Sequence, residues 1–303
     1  MTSFEIEVVP PFRLEYTAWT IRRRAHNATD LWDAETGTYR RSVLIDDQPV
    51  ALGVTQSGDP DRATINVSYE GVKNIPELEA GIRQILKRML GLEIDLSGFY
   101  TIAGRDPVLG PIADRLRGAK PVRFPSAFEA LVNAVACQQI SLDAGMHVLN
   151  RLAAKYGTPV QGVDGAPNAF PGPEQLAQAE PEEVKQVGFS FNKARAVVEA
   201  SRKIVTGELE LDELENCDDD EARKELTSLY GVGRWTAEYI LLRGLGRIHV
   251  LPGDDVGAQN KLKILFGITS KLDYESVEQL ASRWSPYGGV VYFHLLLDSL
   301  VEA

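Results

Sequence analysis

The sequence predicts an α+β chain, with a small antiparallel-sheet domain over residues 1–118 and a larger all-helical domain over residues 119–303. Three observations carry that expectation. Residues 41–56 and 62–69 alternate apolar and polar side chains with the period of half-buried strands. From Phe124 onward the apolar residues recur with a helical period, and capping residues punctuate them. Between these regions, Lys120-Pro121 marks a break where neither period continues.

Taken in order, Val43, Ile45, Val50, Leu52 and Val54 give one face of a first strand pair, and Asp46-Asp47 sits at its turn. Ala63, Ile65, Val67 and Tyr69 give a further strand after the turn signal Gly58-Asp59-Pro60. Leu78, Ile82, Ile85, Leu86 and Leu90 then mark a helix over 76–91, stopped by Gly91. Ser126 with Glu129 reads as a capping box ahead of Phe128, Leu131, Val132 and Val135. Ser141 opens the next helix, which ends at Tyr156-Gly157. Residues 158–173 hold four prolines and three glycines and form a loop. Helices are predicted at about 173–179, 181–187, 191–206, 219–229, 234–245, 255–266, 275–283 and 288–300.

Composition narrows the function classes. The chain has 303 residues, 44% hydrophobic and 25% charged, which suits a globular protein with a sizeable core. No run of about 18 apolar residues suggests a membrane span, and the start lacks the pattern of a secretory signal, so a cytoplasmic location is expected. Two cysteines, Cys137 and Cys217, make neither a disulfide framework nor a four-cysteine metal site. The net charge of −11 opposes nucleic-acid binding by bulk electrostatics. Residues 208–221 crowd acidic side chains, whereas Arg115, Arg117, Lys120 and Arg123, then Lys193 to Lys203, then Arg234, Arg243 and Arg247 collect basic ones. A local basic face is one reading of these clusters, and plain solvated charge is the other.

The richest segment is 229–260. Gly231-Val232-Gly233 is a tight turn that opens a helix, a seat where free N–H groups face an anion such as a phosphate. About twenty residues on, Pro252-Gly253-Asp254-Asp255-Val256 places two carboxylates at the mouth of a second helix. Either aspartate would serve as an N-cap, and a fixed carboxylate beside a phosphate seat also suits an enzyme acting on nucleic acid.

This run, with Gly233-Arg234-Trp235-Thr236-Ala237 inside it, resembles the helix-hairpin-helix, Gly/Pro and aspartate motif of base-excision DNA glycosylases, specifically the AlkA-type 3-methyladenine-DNA glycosylases. The resemblance implies a TBP-like sheet domain before a helical glycosylase domain, with damaged double-stranded DNA as partner. It makes Asp255 the catalytic residue, a carboxylate that stabilises an oxocarbenium-like sugar and orients water, and leaves Asp254 to cap the helix. Gly231, Val232 and Gly233 would offer N–H groups to the DNA backbone, and Thr236 either a hydroxyl to phosphate or a bond within its own helix. A Na⁺ or K⁺ ion on hairpin carbonyls is the one cofactor implied.

Relatives that also cleave the strand carry a lysine where this chain has Trp235, so a monofunctional, hydrolytic enzyme is expected. Trp235, Tyr239 and Tyr292 are the implied base pocket, with Trp19 a further wall. Val256 and Leu296 stand where some relatives have aromatic residues, which makes the pocket less aromatic. Residues 137–141 occupy the family's wedge segment, and Gln139 is the side chain to fill the vacated stack. The implied substrates are 3-methyladenine and 7-methylguanine, with hypoxanthine or etheno-adenine beyond them. The alternatives are an idle helix-hairpin-helix DNA-binding protein, or a glycosylase for another lesion such as 8-oxoguanine. His26, His147, His249 and His294 stand apart without ligand spacing, so no metal site is expected. No membrane contact and no protein partner are expected, and a monomer is the default.

Overall fold

The computed structural model describes residues 2–72 and 76–301. The N-terminal region forms one antiparallel sheet from β1 (Thr2–Glu7), β2 (Leu31–Asp33), β3 (Thr38–Ile45), β4 (Gln48–Ser57) and β5 (Thr64–Glu70), in the spatial order β1-β5-β4-β3-β2. Val43 pairs with Val50 and Ile45 with Gln48, which leaves Asp46-Asp47 as a two-residue hairpin loop. Both aspartates have positive φ, the twist a tight hairpin requires. Val50, Leu52 and Val54 of β4 and Ile65, Val67 and Tyr69 of β5 are buried on one face. That face packs on helix α1 (Leu14–Arg22) through Ala18 and Ile21, and on α2 (Pro76–Leu90) through Ile82 and Leu86.

Helices α3 (Ser97–Ala103) and α4 (Gly110–Arg115) complete the first part of the chain. The remainder is helical: α5 (Ala127–Cys137), α6 (Leu142–Tyr156), α7 (Pro173–Ala177), α8 (Pro181–Lys185), α9 (Phe191–Val205), α10 (Asp219–Ser228), α11 (Arg234–Arg243), α12 (Val256–Phe266), α13 (Tyr274–Ala281) and α14 (Gly288–Val301). A 3-10 helix (Leu211–Asn216) precedes α10 and another (Ser282–Trp284) follows α13. None of the described helices is long and apolar enough to cross a membrane.

The apolar residues gather in three cores. The largest is built on α5, buried over nearly its whole circumference, with α9 and α11. A second joins the sheet to Leu242, Ala258, Tyr292 and Phe293 of the late helices. In the third, Phe99 and Ile112 of α3 and α4 meet Leu262, Trp284 and Leu295. The helices before residue 119 therefore share a core with the end of the chain.

Ser126 caps α5 as expected, its side chain accepting the Glu129 N–H at 3.1 Å. The reciprocal half of the expected capping box is replaced. The Glu129 carboxylate pairs instead with buried Arg41 of β3 at 2.6 Å, and Arg41 also donates to Asp30 at 2.6 Å. Tyr39 donates its hydroxyl to the same Asp30 at 2.6 Å. This buried network seats the sheet against α5.

Part of the acidic segment forms ion pairs within the molecule, while most of its carboxylates stay exposed. Glu215 pairs with Arg88 and with Arg123, Asp219 with His249 and Arg247, and Asp218 caps α10. Members of two basic clusters take part in the same contacts or are buried. Arg123 and Arg247 turn inward to Glu215 and to the carbonyls of 214–217, and Arg243 is only 2% exposed. Arg115, Arg117 and Arg234 of these clusters stay exposed.

His294 of α14 has one ring nitrogen on the Val290 carbonyl at 2.9 Å and the other buried without a partner. Burial lowers its pKa from 6.5 to about 4. Between those values the unfolded chain binds the proton and the folded chain does not, so stability falls as pH drops through that window. The full depression corresponds to about 3 kcal/mol at 1.36 kcal/mol per unit. Urea midpoints measured from pH 7 to pH 4 are expected to lose that increment in the wild type. His294→Leu should remove this part of the slope, and an unchanged slope would refute the assignment.

Candidate active-site cleft

Helices α10 and α11 meet in the hairpin expected at 229–237. Gly231 adopts φ +77°, and a Cβ there would lie 2.9 Å from the Ala196 side chain, so both conformation and space require glycine. Gly233 is the extended N-cap of α11, and a Cβ on it would meet nothing within 4 Å. Its lack of a side chain instead leaves the first-turn N–H groups of α11 bare for an approaching anion.

Two hairpin expectations are corrected. The Val232 N–H is spent on the Leu229 carbonyl at 3.1 Å, and its side chain is buried. Thr236 is 2% exposed, and its hydroxyl oxygen accepts the Gln138 side-chain amide at 2.9 Å, so it faces the α5–α6 junction and not an outer phosphate. Both residues build the turn from inside, because the hairpin must rest on the α5–α6 junction.

At the head of α12 the roles of the two aspartates differ from the expectation. Asp255, not Asp254, is the N-cap, with Oδ1 accepting the Ala258 N–H at 2.9 Å. Asp254 pairs with Arg234 at 2.7 Å, and that guanidinium lies 3.8 Å from the Tyr274 ring centroid. Capping uses only one oxygen of Asp255. The other accepts the Trp235 indole N–H at 3.1 Å and the Tyr292 hydroxyl at 3.2 Å. Burial, then the Asp255 charge, hold the Tyr292 hydroxyl protonated well above its ordinary range, so it acts as a donor. A half-buried carboxylate is thus locked at the cleft edge by three donors from three elements.

The loop bearing it is clamped from below by a residue that the sequence reading missed. Glu238 of α11 is 1% exposed and accepts the Gly253 N–H at 3.2 Å and the Tyr274 hydroxyl at 2.6 Å. Its pKa is raised by burial. A Cβ on Gly253 would lie 2.7 Å from the Tyr274 ring, so glycine is needed for this close approach. A lone carboxylate within the apolar stretch of α11 was the available signal.

The cleft measures about 1050 Å³ and brings together Trp19, Gln139, Trp235, Tyr239, Asp255 and Tyr292. The Trp235 and Tyr239 rings stand 5.5 Å apart, tilted by 39°. Leu296 also lines the space, and Val256 lies at its exposed rim. Gln139 is exposed at the α5–α6 junction with φ +55°. Its neighbour Gln138 ties this junction to the hairpin, reaching the Gly231 carbonyl at 2.8 Å, and Lys193 holds the Gln138 carbonyl at 2.6 Å.

A side chain in the left-handed region costs of order 1 kcal/mol, so Gln139→Gly should raise stability by up to about that much. If Gln139 fills the vacated stack, as the resemblance implies, its loss should at the same time slow base release from paired DNA more than from a mismatched site, where unstacking is cheaper. Thermal melting and single-turnover release check both halves. Equal slowing on both substrates would reject the wedge.

One expectation about histidines fails. His26 and His147 stack with ring centroids 4.3 Å apart and planes 19° apart, and Asp143 lies between their nitrogens within a 4.8 Å group. Nearly parallel rings direct their in-plane lone pairs side by side instead of toward one ion, and Arg24 already neighbours Asp143 at 3.6 Å.

Residues 132–286 match the family model described as HhH-GPD superfamily base excision DNA repair protein. The chain is 28% identical over 290 residues to a putative DNA-3-methyladenine glycosylase of Bacillus subtilis, covering 95% of this chain and 96% of that one. It is 25% identical over 292 residues to DNA-3-methyladenine glycosylase 2 of Escherichia coli, covering 94% of each. The solved 3-methyladenine DNA-glycosylase of Archaeoglobus fulgidus superposes with a TM-score of 0.86 at 27% identity, over 98% of both chains. The matched segment begins within α5, contains the α5–α6 junction, the hairpin and the Asp255 loop, and covers half of the sequence: the chain belongs to the HhH-GPD superfamily of base excision DNA repair proteins.

Proposed function

We propose that this protein is a monofunctional DNA glycosylase that flips a damaged purine out of duplex DNA and hydrolyses its N-glycosidic bond. The observation that carries the reading is the Asp255 carboxylate, held by Trp235 and Tyr292 at the edge of a base-sized cleft and beside a bare helix N-terminus. As the bond from C1′ to the base nitrogen breaks, positive charge grows on the sugar, and a fixed carboxylate in a partly dry cleft stabilises it. Water adds to C1′, giving an abasic site and the free base. The Gly231 and Gly233 turn with the first turn of α11 would hold the phosphate backbone, Gln139 would fill the vacated stack, and Trp235, Tyr239 and Tyr292 would line the base pocket.

Trp235 carries no amine, so no Schiff base forms at the hairpin and no strand cleavage should follow. The first substrate to test is 3-methyladenine, which the relatives' names carry, followed by 7-methylguanine, hypoxanthine and etheno-adenine. A Na⁺ or K⁺ ion at the hairpin would draw on the Leu229 and Gly231 carbonyls, each of which accepts one N–H and keeps a second lone pair. The protein would work as a monomer among the cell's DNA. Chromatography of bases freed from methylated duplex DNA tests the reading, with borohydride trapping alongside. Base release without a trapped adduct supports it. DNA binding with no release of any base would leave an idle binder, and a covalent adduct would mark a lyase.

A further inference from the structure

The floor of the cleft carries two arginines that the hydrolysis described above does not use. Arg23 follows α1 and Arg243 ends α11, and both line the cleft while being only 7% and 2% exposed. Arg23 donates to the Tyr239 hydroxyl oxygen at 2.9 Å and to Asn133 at 2.5 Å, and its Nε has no partner. Arg243 reaches only the Thr20 carbonyl, at 3.4 Å from each terminal nitrogen, and its Nε is also unpartnered. Among the described residues no carboxylate makes a direct ion pair with either, although Asp30, held by Arg41, acts on Arg23 through its charge. Arg23 is held at φ +62°, in a helix-terminal position where glycine is the unstrained choice. Buried guanidinium groups without anions are costly, and a strained backbone beneath a cleft is where function is sought.

Their charge changes what the cleft attracts. Two buried cations share the cleft lining with the Asp254 and Asp255 carboxylates. The Arg243 guanidinium sits 4.8 Å from the Phe293 centroid and 5.4 Å from that of Tyr239. The Tyr239 and Phe293 faces, which would draw a cationic base, are thus already engaged by Arg243. A neutral purine meets the opposite situation. When its bond to C1′ breaks, the electron pair stays on the base, and the charge spreads over the ring nitrogens and any exocyclic oxygen. A guanidinium beside that oxygen stabilises the departing anion. The anion then takes one proton of the attacking water, and the other stays on the new sugar hydroxyl.

Resting on the glycosylase reading, we infer that Arg23 and Arg243 are specificity-determining residues that select uncharged purines bearing an exocyclic carbonyl, which leave as anions, over cationic alkylpurines. Hypoxanthine is the probe for the first class and 7-methylguanine for the second. Single-turnover release is measured from matched duplexes, each rate divided by the spontaneous rate of the same lesion. The wild type should show the larger enhancement for hypoxanthine. Arg243→Met and Arg23→Met should lower the ratio of hypoxanthine to 7-methylguanine enhancement by about tenfold or more, the scale of one lost charge-assisted contact. Arg243→Lys should restore part of it. Equal loss on both bases would show a structural role only and overturn the inference. So would a larger wild-type enhancement for 7-methylguanine, a result that needs no variant to fold and leaves the glycosylase reading intact. Release of neither these nor any other damaged base would take down the glycosylase reading itself.

Discussion

Asp255→Asn is expected to reduce base release by about a hundredfold or more while the protein still folds and binds DNA. The magnitude is that of removing one preorganised charged group from a developing transition state. The substitution is clean because asparagine is as good an N-cap as aspartate, so the Ala258 N–H keeps an acceptor. The amide then turns its NH₂ toward the Trp235 N–H and the Tyr292 hydroxyl. Tyr292 can rotate to accept, and the indole N–H is the one donor left unmatched, a cost of about 1 kcal/mol. Single-turnover release with melting temperature and duplex affinity measured together checks the claim. Release within tenfold of wild type would remove Asp255 from the chemistry. Asp254→Asn is the control, since that side chain pairs with Arg234 and makes no contact with the Trp235–Tyr292 pair.

Arg41→Met is expected to be the most destabilising single change, at about 3–5 kcal/mol. Arg41 is 1% exposed and is the counter-charge for both Asp30 and Glu129, which are themselves buried. Glu129 has its pKa raised, first by burial and against the pull of Arg41, so losing the guanidinium leaves a carboxylate poorly tolerated in place. At about 2–4 °C per kcal/mol for a domain of this size class, melting should fall by roughly 10 °C. Adding Asp30→Asn and Glu129→Gln should recover much of the loss, because paired removal of buried charges is far cheaper than removal of one. A fall below about 1 kcal/mol for the single variant would show that water reaches the network. The site should feel the change as well: Asn133, which holds Arg23, donates to the Glu129 carbonyl one turn away at 3.0 Å.

The sheet and the long helices were legible because their signals are local. Alternation in β4 and β5, the Asp46-Asp47 turn, the Ser126 and Ser141 caps and the Gly157 stop depend on neighbours within a few positions. Some short elements escaped, although α7 and α8, of 5 residues each, were marked by their leading prolines. Strands β1 and β2 span 6 and 3 residues, and α3 and α4 span 7 and 6, too few for a period to show. In segment 208–221 the ion pairs of Glu215 and Asp219 were not legible, because their partners Arg88, Arg123 and His249 are remote in sequence.

The same division runs through the site. Gly231, Gly233, Trp235 and Asp255 announce themselves within one stretch of about 25 residues, since a turn, a helix start and a capping carboxylate are properties of adjacent backbone. The sequence by itself therefore determined the α+β order, the hairpin and the aspartate at the head of α12. Only the tertiary structure decided that Asp255 caps while Asp254 pairs outward, that Thr236 and Val232 face inward, and that Arg23 and Arg243 meet under the base cleft from positions 220 residues apart. Hydrogen bonds, burial and unpaired charge are set by what lies across space, and no run of neighbouring letters specifies that.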